Sequence, residues 1–599
     1  MGSRAPVYQD YSGCPEPPLP PLPEASPFES FLECFAPKGV HSDTLTMRCL
    51  RVLYRVSGYE AFHASLTTSL GDRLKWTHMR MSTCGPLQNA TAALGDAATD
   101  TSPAVRAAAL VAAYLDFKTA LYAGDVPADG VNGHANEMRQ YVNLFGTCVA
   151  FDGRSFRLFR NVDSRTVSIL ANRRIYVASL PDVRGAELIA TIAELFEAVW
   201  NDSRARPVPS EVVTIPLLSS SSDATQLRLF RELWARPGNA RSLSTLRDTL
   251  LTVCLDFGYE PGSYAEAARI AHSGNCANRW HQSALQMVVF GNSRACLVFN
   301  WAAYLDGDVM IRASAEIRRR AERLMLPRPS SRMPAGGELK VQGRELPWDL
   351  RGLDLSAVSR EVMRIVDHQP STFEIPECGR RRFEHCGLRP VESFVAALAL
   401  TIARLSRRPA QISQYVSLSR YRYMDVTKVA LDTEELQDFV REWPNTSAGG
   451  PRHVLLNAAI ESQRRECRRA RSALPASHLG SLFMATKGRR GRAAIMAATS
   501  GILRLRRLRV KNLRLFQQWI TISHPRVCAE VPVVGRPGVR LPNQQMFALH
   551  YQMFADRTVV TVIPGTNWNV PNVEFVAELE SRLKEILCTA AAVTPEASL

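Results

Sequence analysis

The sequence predicts an α+β protein of layered sheets and helices, and three patterns carry that expectation. Helix-like and strand-like segments mix along the chain without regular β-α-β alternation, which favours separate α/β layers over a doubly wound parallel sheet. β-Branched and aromatic runs pair across short turns: TVSILA and RIYVASL flank Asn172 and Arg173, while LQMVVF and ACLVFNW flank Gly291-Asn292-Ser293. A chain of 599 residues also exceeds one ordinary core, so roughly two to four domains are expected.

The elements follow in order. The proline-rich opening PEPPLPPLPEASP predicts an extended tether lying on its own protein and entering a helix near Phe28. Apolar residues at helical spacing continue through Phe31–Leu74 and again through Ala104–Tyr122. The Gly- and Asp-rich stretch AGDVPADGVNGH is a loop, Ala186–Trp200 is a helix, and Pro207–Thr214 marks a crossing between elements. Residues 326–349, rich in Pro and Gly, read as an exposed connection. Long helices dominate from Ser393 to Arg514, before the strand RTVVTVI and a closing helix over Val573–Leu587. The apolar runs VAALALTIA and AAIMAATSGIL fall short of the ~20 residues a membrane span needs, so both are expected to be buried helices.

Composition narrows the partners. The formal net charge is +16, from 73 Lys and Arg against 57 Asp and Glu, which suits an anionic partner. The excess is densest between Gln463 and Arg514, where Phe483 is the only aromatic residue. Stacking on bases needs aromatics among the charge, so nucleic acid is not expected. A solvated helix face is expected, with peripheral contact to an anionic surface left open. Thirteen cysteines are scattered with no CxxC pair, as free thiols in a reducing compartment would be. Cys378, His385 and Cys386 match no zinc spacing, so no metal is expected. The N-terminus has no apolar signal core, and a cytoplasmic monomer is the expectation.

Common catalytic signatures are missing: no Walker loop, no GxSxG elbow, no HExxH, and none of the twelve histidines has Asp or Glu four residues on. A collinear series of segments nevertheless runs from about Pro15 to about Leu587. It includes EPPLPPLPEASPFESFLECF, MRQYVNLFGTCVAF, LSTLRDTLLTVCLDF, AHSGNCANRWHQSALQMVVF, SRACLVFNWAAYLDG, LRPVESFVAALALTIARL, PASHLGSLF and WITISHP. Together these resemble the choline/carnitine O-acyltransferases.

The resemblance implies two similar domains of mixed sheets flanked by helices, with an active-site tunnel at their interface. After a Pro-rich segment over 1–30, one domain holds 91–369, and the other combines 31–90 with 370–599. It implies an acyl thioester on coenzyme A or a carrier protein's phosphopantetheine as co-substrate, with no tightly bound cofactor. In the family a histidine of an "EHxxxDG" element takes the acceptor's proton. Here the matching stretch reads Phe299-Asn300-Trp301-Ala302-Ala303-Tyr304-Leu305-Asp306-Gly307, one residue longer. Anchored on the incoming strand, Trp301 stands in the histidine's place; anchored on Asp306 and Gly307, Ala302 does. Neither side chain accepts a proton.

His281 is the best candidate for a relocated base, against a packed structural histidine. Thr521 and Ser523 match the family's oxyanion-holding "STS" element. Arg380, Arg381, Arg382 and Arg389 stand near its two phosphate-binding lysines, although Glu384 falls on the second of them. Tyr415 and Ser417 complete the substrate-binding candidates. The arginine-bearing signature that grips carnitine is replaced around 425–429, which makes carnitine a poor acceptor. Two readings stay open: atypical acyl transfer or cyclisation with a non-carnitine acceptor, and a catalytically dead scaffold.

Overall fold

A computed structural model describes residues 17–35, 44–78, 89–95, 101–131, 134–206, 214–325, 342–367, 371–406, 411–424, 426–509, 519–523, 533–534, 545–564 and 569–593. Its strands are β1 (Asn89–Leu94), β2 (Gly130–Val131), β3 (His134–Ala135), β4 (Thr147–Phe151), β5 (Phe156–Arg160), β6 (Thr166–Ala171), β7 (Arg174–Ser179), β8 (Thr252–Asp256) and β9 (Leu285–Phe290). They continue as β10 (Ala295–Asn300), β11 (Arg344–Glu345), β12 (Ser371–Pro376), β13 (Gln411–Ser417), β14 (Val426–Ala430), β15 (Trp519–Ser523), β16 (Val533–Val534), β17 (Gln545–Met553) and β18 (Arg557–Pro564).

Two mixed sheets with helices make this an α+β fold. An eight-stranded sheet runs β11-β7-β6-β8-β9-β10-β1-β16, and a six-stranded sheet runs β12-β18-β17-β15-β13-β14. Both expected hairpins form. β6 and β7 pair antiparallel, with Asn172 and Arg173 at φ 46° and 68°, and β9 pairs with β10 across a turn where Ser293 takes φ 61°. A two-residue turn with both central residues left-handed matches the twist of the strands it joins.

Two observations refine the expected boundaries. β1 starts at Asn89, so it spans the expected 90/91 division, and β16 pairs with β1 through Thr91↔Val534 and Ala92↔Val533. A segment late in the sequence thus closes the sheet built from the first half. Residues 326–341 of the expected connection lie outside the described residues, but Arg344 and Glu345 form an edge strand on β7.

Each sheet has its own core. Helices Pro103–Ala123, Gly185–Ala205 and Gly307–Met325 pack on the first sheet, and alanines at 104, 107–109 and 112–113 let the first of them approach closely. Helices Pro390–Ser406 and Asn572–Ala591 cover the second. Its VAALALTIA run is buried as expected. The AAIMAATSGIL run is not: in helix Arg489–Arg509, among the side chains of that stretch that are described, only Ile495 and Thr499 are buried, and Met496 is 55 % exposed. Short alanines at helical spacing gave an apolar run without a continuous apolar face to bury. The proline-rich tether does lie on the protein: Arg422 N donates to Pro18 O at 2.9 Å, and Leu474 N donates to Pro21 O at 2.8 Å.

Candidate active site

β10 delivers the chain to Trp301. Asn300 is its last residue, paired across the ladder with Asn89 of β1. A short 3₁₀ turn, Trp301–Ala303, follows, then Tyr304 at φ 58°, and helix Gly307–Met325 begins. A tyrosine in the left-handed region is uncommon and costs backbone energy. It turns the chain from β10 back into this helix.

Local hydrogen bonds hold this turn. Asn300 Oδ1 accepts from Ala302 N at 2.9 Å, and its Nδ2 donates to His281 O at 2.9 Å. Asp306 caps the helix, its Oδ1 accepting from Gly307 N at 2.7 Å. From the neighbouring 3₁₀ helix Arg139–Leu144, Gln140 Oε1 accepts from Asp306 N at 2.6 Å, and Asn143 Nδ2 donates to Tyr304 O at 3.2 Å. The MRQYVNLFGTC segment is therefore the cradle of the Trp301 turn. Gly146 closes that cradle at φ 58°, where a Cβ would lie 2.0 Å from Asn161 O.

Trp301 is half-buried against the core of the first sheet. Its Nε1–H is shielded from solvent and has no hydrogen-bond partner among the described residues. The turn thus offers a donor and no proton acceptor on the Trp301 ring.

His281 lies behind this turn, 4 % exposed, its ring Nδ1 against the Asn89 amide and its backbone N–H donating to Ser219 Oγ at 3.1 Å. Burial first, then His272 and Arg279, holds its imidazole well below the ordinary value. Its neighbour His272 meets Thr91 Oγ1 at 2.8 Å and is pushed down to about 3 by burial and Arg279. Arg279 and Asp256, both fully buried, pair at 2.7 Å beneath them. The expectation of His281 as a relocated base meets a sealed, neutral ring here: a group that cannot hold a proton is a poor general base.

The second sheet turns a polar face away from its core. Ile412 and Val416 of β13, Val429 of β14, Leu549 and Tyr551 of β17, and Val560 and Val562 of β18 face inward. On the opposite face Tyr415 stands across from Lys428 in register, and His550 across from Thr561. Tyr415 is 38 % exposed, and Ser417 Oγ meets Ser419 Oγ at 2.8 Å. Lys428 reaches solvent yet sits deep enough that desolvation pushes it down to about 8. In the backbone register Thr521 lies between Ser413 and Ala548, and Ser523 lies opposite His550. His550 was not singled out from sequence; the alternation in QMFALHYQM, with Phe547, Leu549, Tyr551 and Met553 on the core phase, was the signal for it.

The two sheets meet beside the Trp301 cradle. Glu137 N donates to Ser419 O at 2.5 Å, Tyr423 N donates to Glu137 Oε2 at 3.0 Å, and the Arg139 guanidinium stacks 3.6 Å from the Tyr423 ring centroid. The candidate phosphate-binding arginines lie elsewhere, on the exposed helix Arg380–His385 and at Arg389. Arg380 approaches Glu384 at 3.7 Å and Arg382 approaches Glu377 at 3.4 Å, so carboxylates engage two of the four. Among the described residues no group of His, Cys, Asp or Glu is arranged to hold a metal ion.

The family model for choline/carnitine O-acyltransferases matches residues 76–503. The chain belongs to the choline/carnitine O-acyltransferase family. It is 22% identical over 518 residues to choline O-acetyltransferase of Sus scrofa, covering 77% of this chain and 76% of that one. It is also 25% identical over 324 residues to highly reducing polyketide synthase 17 of Metarhizium anisopliae, covering 52% of this chain but 10% of the synthase. Among solved structures, the first condensation domain of the CDA synthetase matches at 12% identity with TM-score 0.34, over 88% of this chain and 95% of that one.

Proposed function

We propose that this acyltransferase-family protein moves an acyl group from a thioester to an acceptor other than carnitine, with Trp301 in place of the family's catalytic histidine. The observation that carries the proposal is the Trp301 turn. It follows directly on β10, and its indole N–H has no acceptor among the described residues. On the same reading the two sheets are the cores of the two domains, and the tunnel runs past Trp301 and the Tyr415–Lys428 face. The contacts of Glu137 and Arg139 with Ser419 and Tyr423 support that placement.

Alcohol acceptors need a base as they attack, and losing one costs about 10²–10⁴ in rate. A neutral amine already presents its lone pair. Its nitrogen bonds to the thioester carbon, the C–S bond breaks, and the departing thiolate takes the amine's surplus proton. The Trp301 N–H, shielded from solvent in this structure, becomes a donor to the carbonyl oxygen on which charge develops once the indole turns toward the bound thioester. Coenzyme A and carrier phosphopantetheine both present such a thioester. The match to a small part of a polyketide synthase favours the carrier-bound form.

The rival reading is a scaffold that binds an acyl thioester without turning it over, which the bulk of Trp301 at the junction favours. Purified protein with acetyl-CoA, an acetylated carrier protein and a panel of amines and amino alcohols separates the two. Amide formation above the uncatalysed rate is expected. Saturable thioester binding with no product from any acceptor supports the scaffold instead.

A further inference from the structure

We infer that the outer face of helix Thr44–Ser57, together with the helix Arg489–Arg509 packed on it, docks on an anionic lipid bilayer. The first helix buries Leu50 and Leu53 and turns its other side outward. There Val52 is 62 % exposed, Val56 is 75 % exposed and Leu45 is 41 % exposed. At 100° per residue these three fall within one narrow stripe, and Arg48, Arg51 and Arg55 fall in a second stripe beside it. All three arginines are exposed, and the helix contains no acidic residue.

The second helix extends the same character. It packs through Ile495 and Ile502, leaving Met496 55 % exposed with Arg490 and Arg492 also exposed. It too contains no Asp or Glu. Aliphatic side chains beside arginines, with no counter-charge on either helix, are the pattern of a surface whose apolar stripe enters the headgroup boundary while its cations meet anionic lipid. The net charge of +16 adds long-range attraction. A nucleic acid fits less well, because the exposed apolar side chains among the charges are valine, leucine and methionine, and the ring beside them, Phe28 at 5.3 Å from Arg51, is packed edge-on against Tyr54. No helix among the described residues is long and apolar enough to cross a membrane, so the contact is peripheral.

Sedimentation of the full chain with vesicles of phosphatidylcholine, alone or with a third phosphatidylserine, tests this. Binding to the anionic vesicles only, weakening as salt is raised, is the expected result. Arg48→Gln with Arg55→Gln is expected to lower partitioning about 30-fold. Val52→Asp with Val56→Asp is expected to lower it at least tenfold, with circular dichroism unchanged, because both valines already face solvent. Equal binding to neutral vesicles would overturn the inference. So would an unaffected valine variant, tighter binding to duplex DNA than to vesicles, or a dimer that the valine variant dissociates. None of these outcomes depends on acyl transfer, so a failure here leaves the proposed chemistry untouched, and the reverse also holds.

Discussion

The two sheets treat their polar groups in opposite ways. Beneath the Trp301 turn, the eight-stranded sheet seals them: Asn300 holds backbone, His281 and His272 are neutral and buried, and Arg279 is paired with Asp256 away from water. The six-stranded sheet leaves Tyr415 and Lys428 within reach of solvent on a face whose reverse is mostly apolar, with Gln414, Thr427 and Thr558 among its buried residues. A group that exchanges protons must be able to hold one and release it near working pH. The sealed imidazoles cannot hold one; Lys428, pushed down to about 8, can do both. Rigidity therefore belongs to the first sheet, and titratable chemistry to the second.

The comparison breaks first if the sealed cluster is not load-sharing. Arg279→Met leaves Asp256 charged in the interior without a counter-charge, held by the Asn278 amide, and is expected to cost about 3–5 kcal/mol. Urea unfolding reads the loss; a change under about 1 kcal/mol would mean that water reaches the pair.

Acid comes next. The folded pKa values of His272 and His281 lie below the unfolded one near 6.5, so falling pH lets the unfolded chain take up protons that the native fold refuses. Their contribution is complete above about pH 6.5 and is lost downward from there, for His272 until about 3. Each ring gives a limiting slope of about 1.4 kcal/mol per pH unit, reached below the unfolded value, so stability is expected to drop by about 3–4 kcal/mol between pH 6.5 and 5. Native-state imidazole titrations by NMR near pH 6.5 would contradict the sealing.

A smaller effect sharpens the role of the cradle. Gln140→Ala removes the acceptor for Asp306 N and is expected to cost about 1–2 kcal/mol, with faster amide exchange confined to the turn. Lys428→Met is expected to change stability least. Competitive acetylation followed by mass spectrometry should place the wild-type amine's midpoint near 8, against the 10.5 of an ordinary lysine. A midpoint above 10 would return proton handling to an open question on both sheets.

Much of this was legible in the sequence. The β6–β7 and β9–β10 hairpins announced themselves through β-branched runs around Asn172-Arg173 and Gly291-Asn292-Ser293, because short-range turn chemistry decides them. β10 runs unbroken to Asn300, which is the premise of the register that puts Trp301 in the histidine's place. Long-range facts were not legible. That Gln140 and Asn143 reach the turn at 301–306 depends on the packing of residues more than 150 positions apart. The sealing of His281 depends on Asn89 arriving from β1, and the desolvation of Lys428 on its place in the assembled sheet. The run AAIMAATSGIL within helix Arg489–Arg509 was misread as buried because hydropathy counts alanines without asking which side they face, while the solvated face expected of the basic residues around it agrees with exposed Arg490 and Arg492.

The central claim is that the Trp301 turn carries no proton acceptor where the family's histidine would stand. Steady-state acetyl transfer from acetyl-CoA to carnitine and to choline, run from pH 6 to 9 on purified protein, tests it most directly. The expected result is no transfer above the uncatalysed rate to either alcohol in wild type, with transfer to choline appearing in Trp301→His. Wild-type turnover at about 1–10³ per second, the ordinary enzyme range, would show that a base is already in place and would contradict the account.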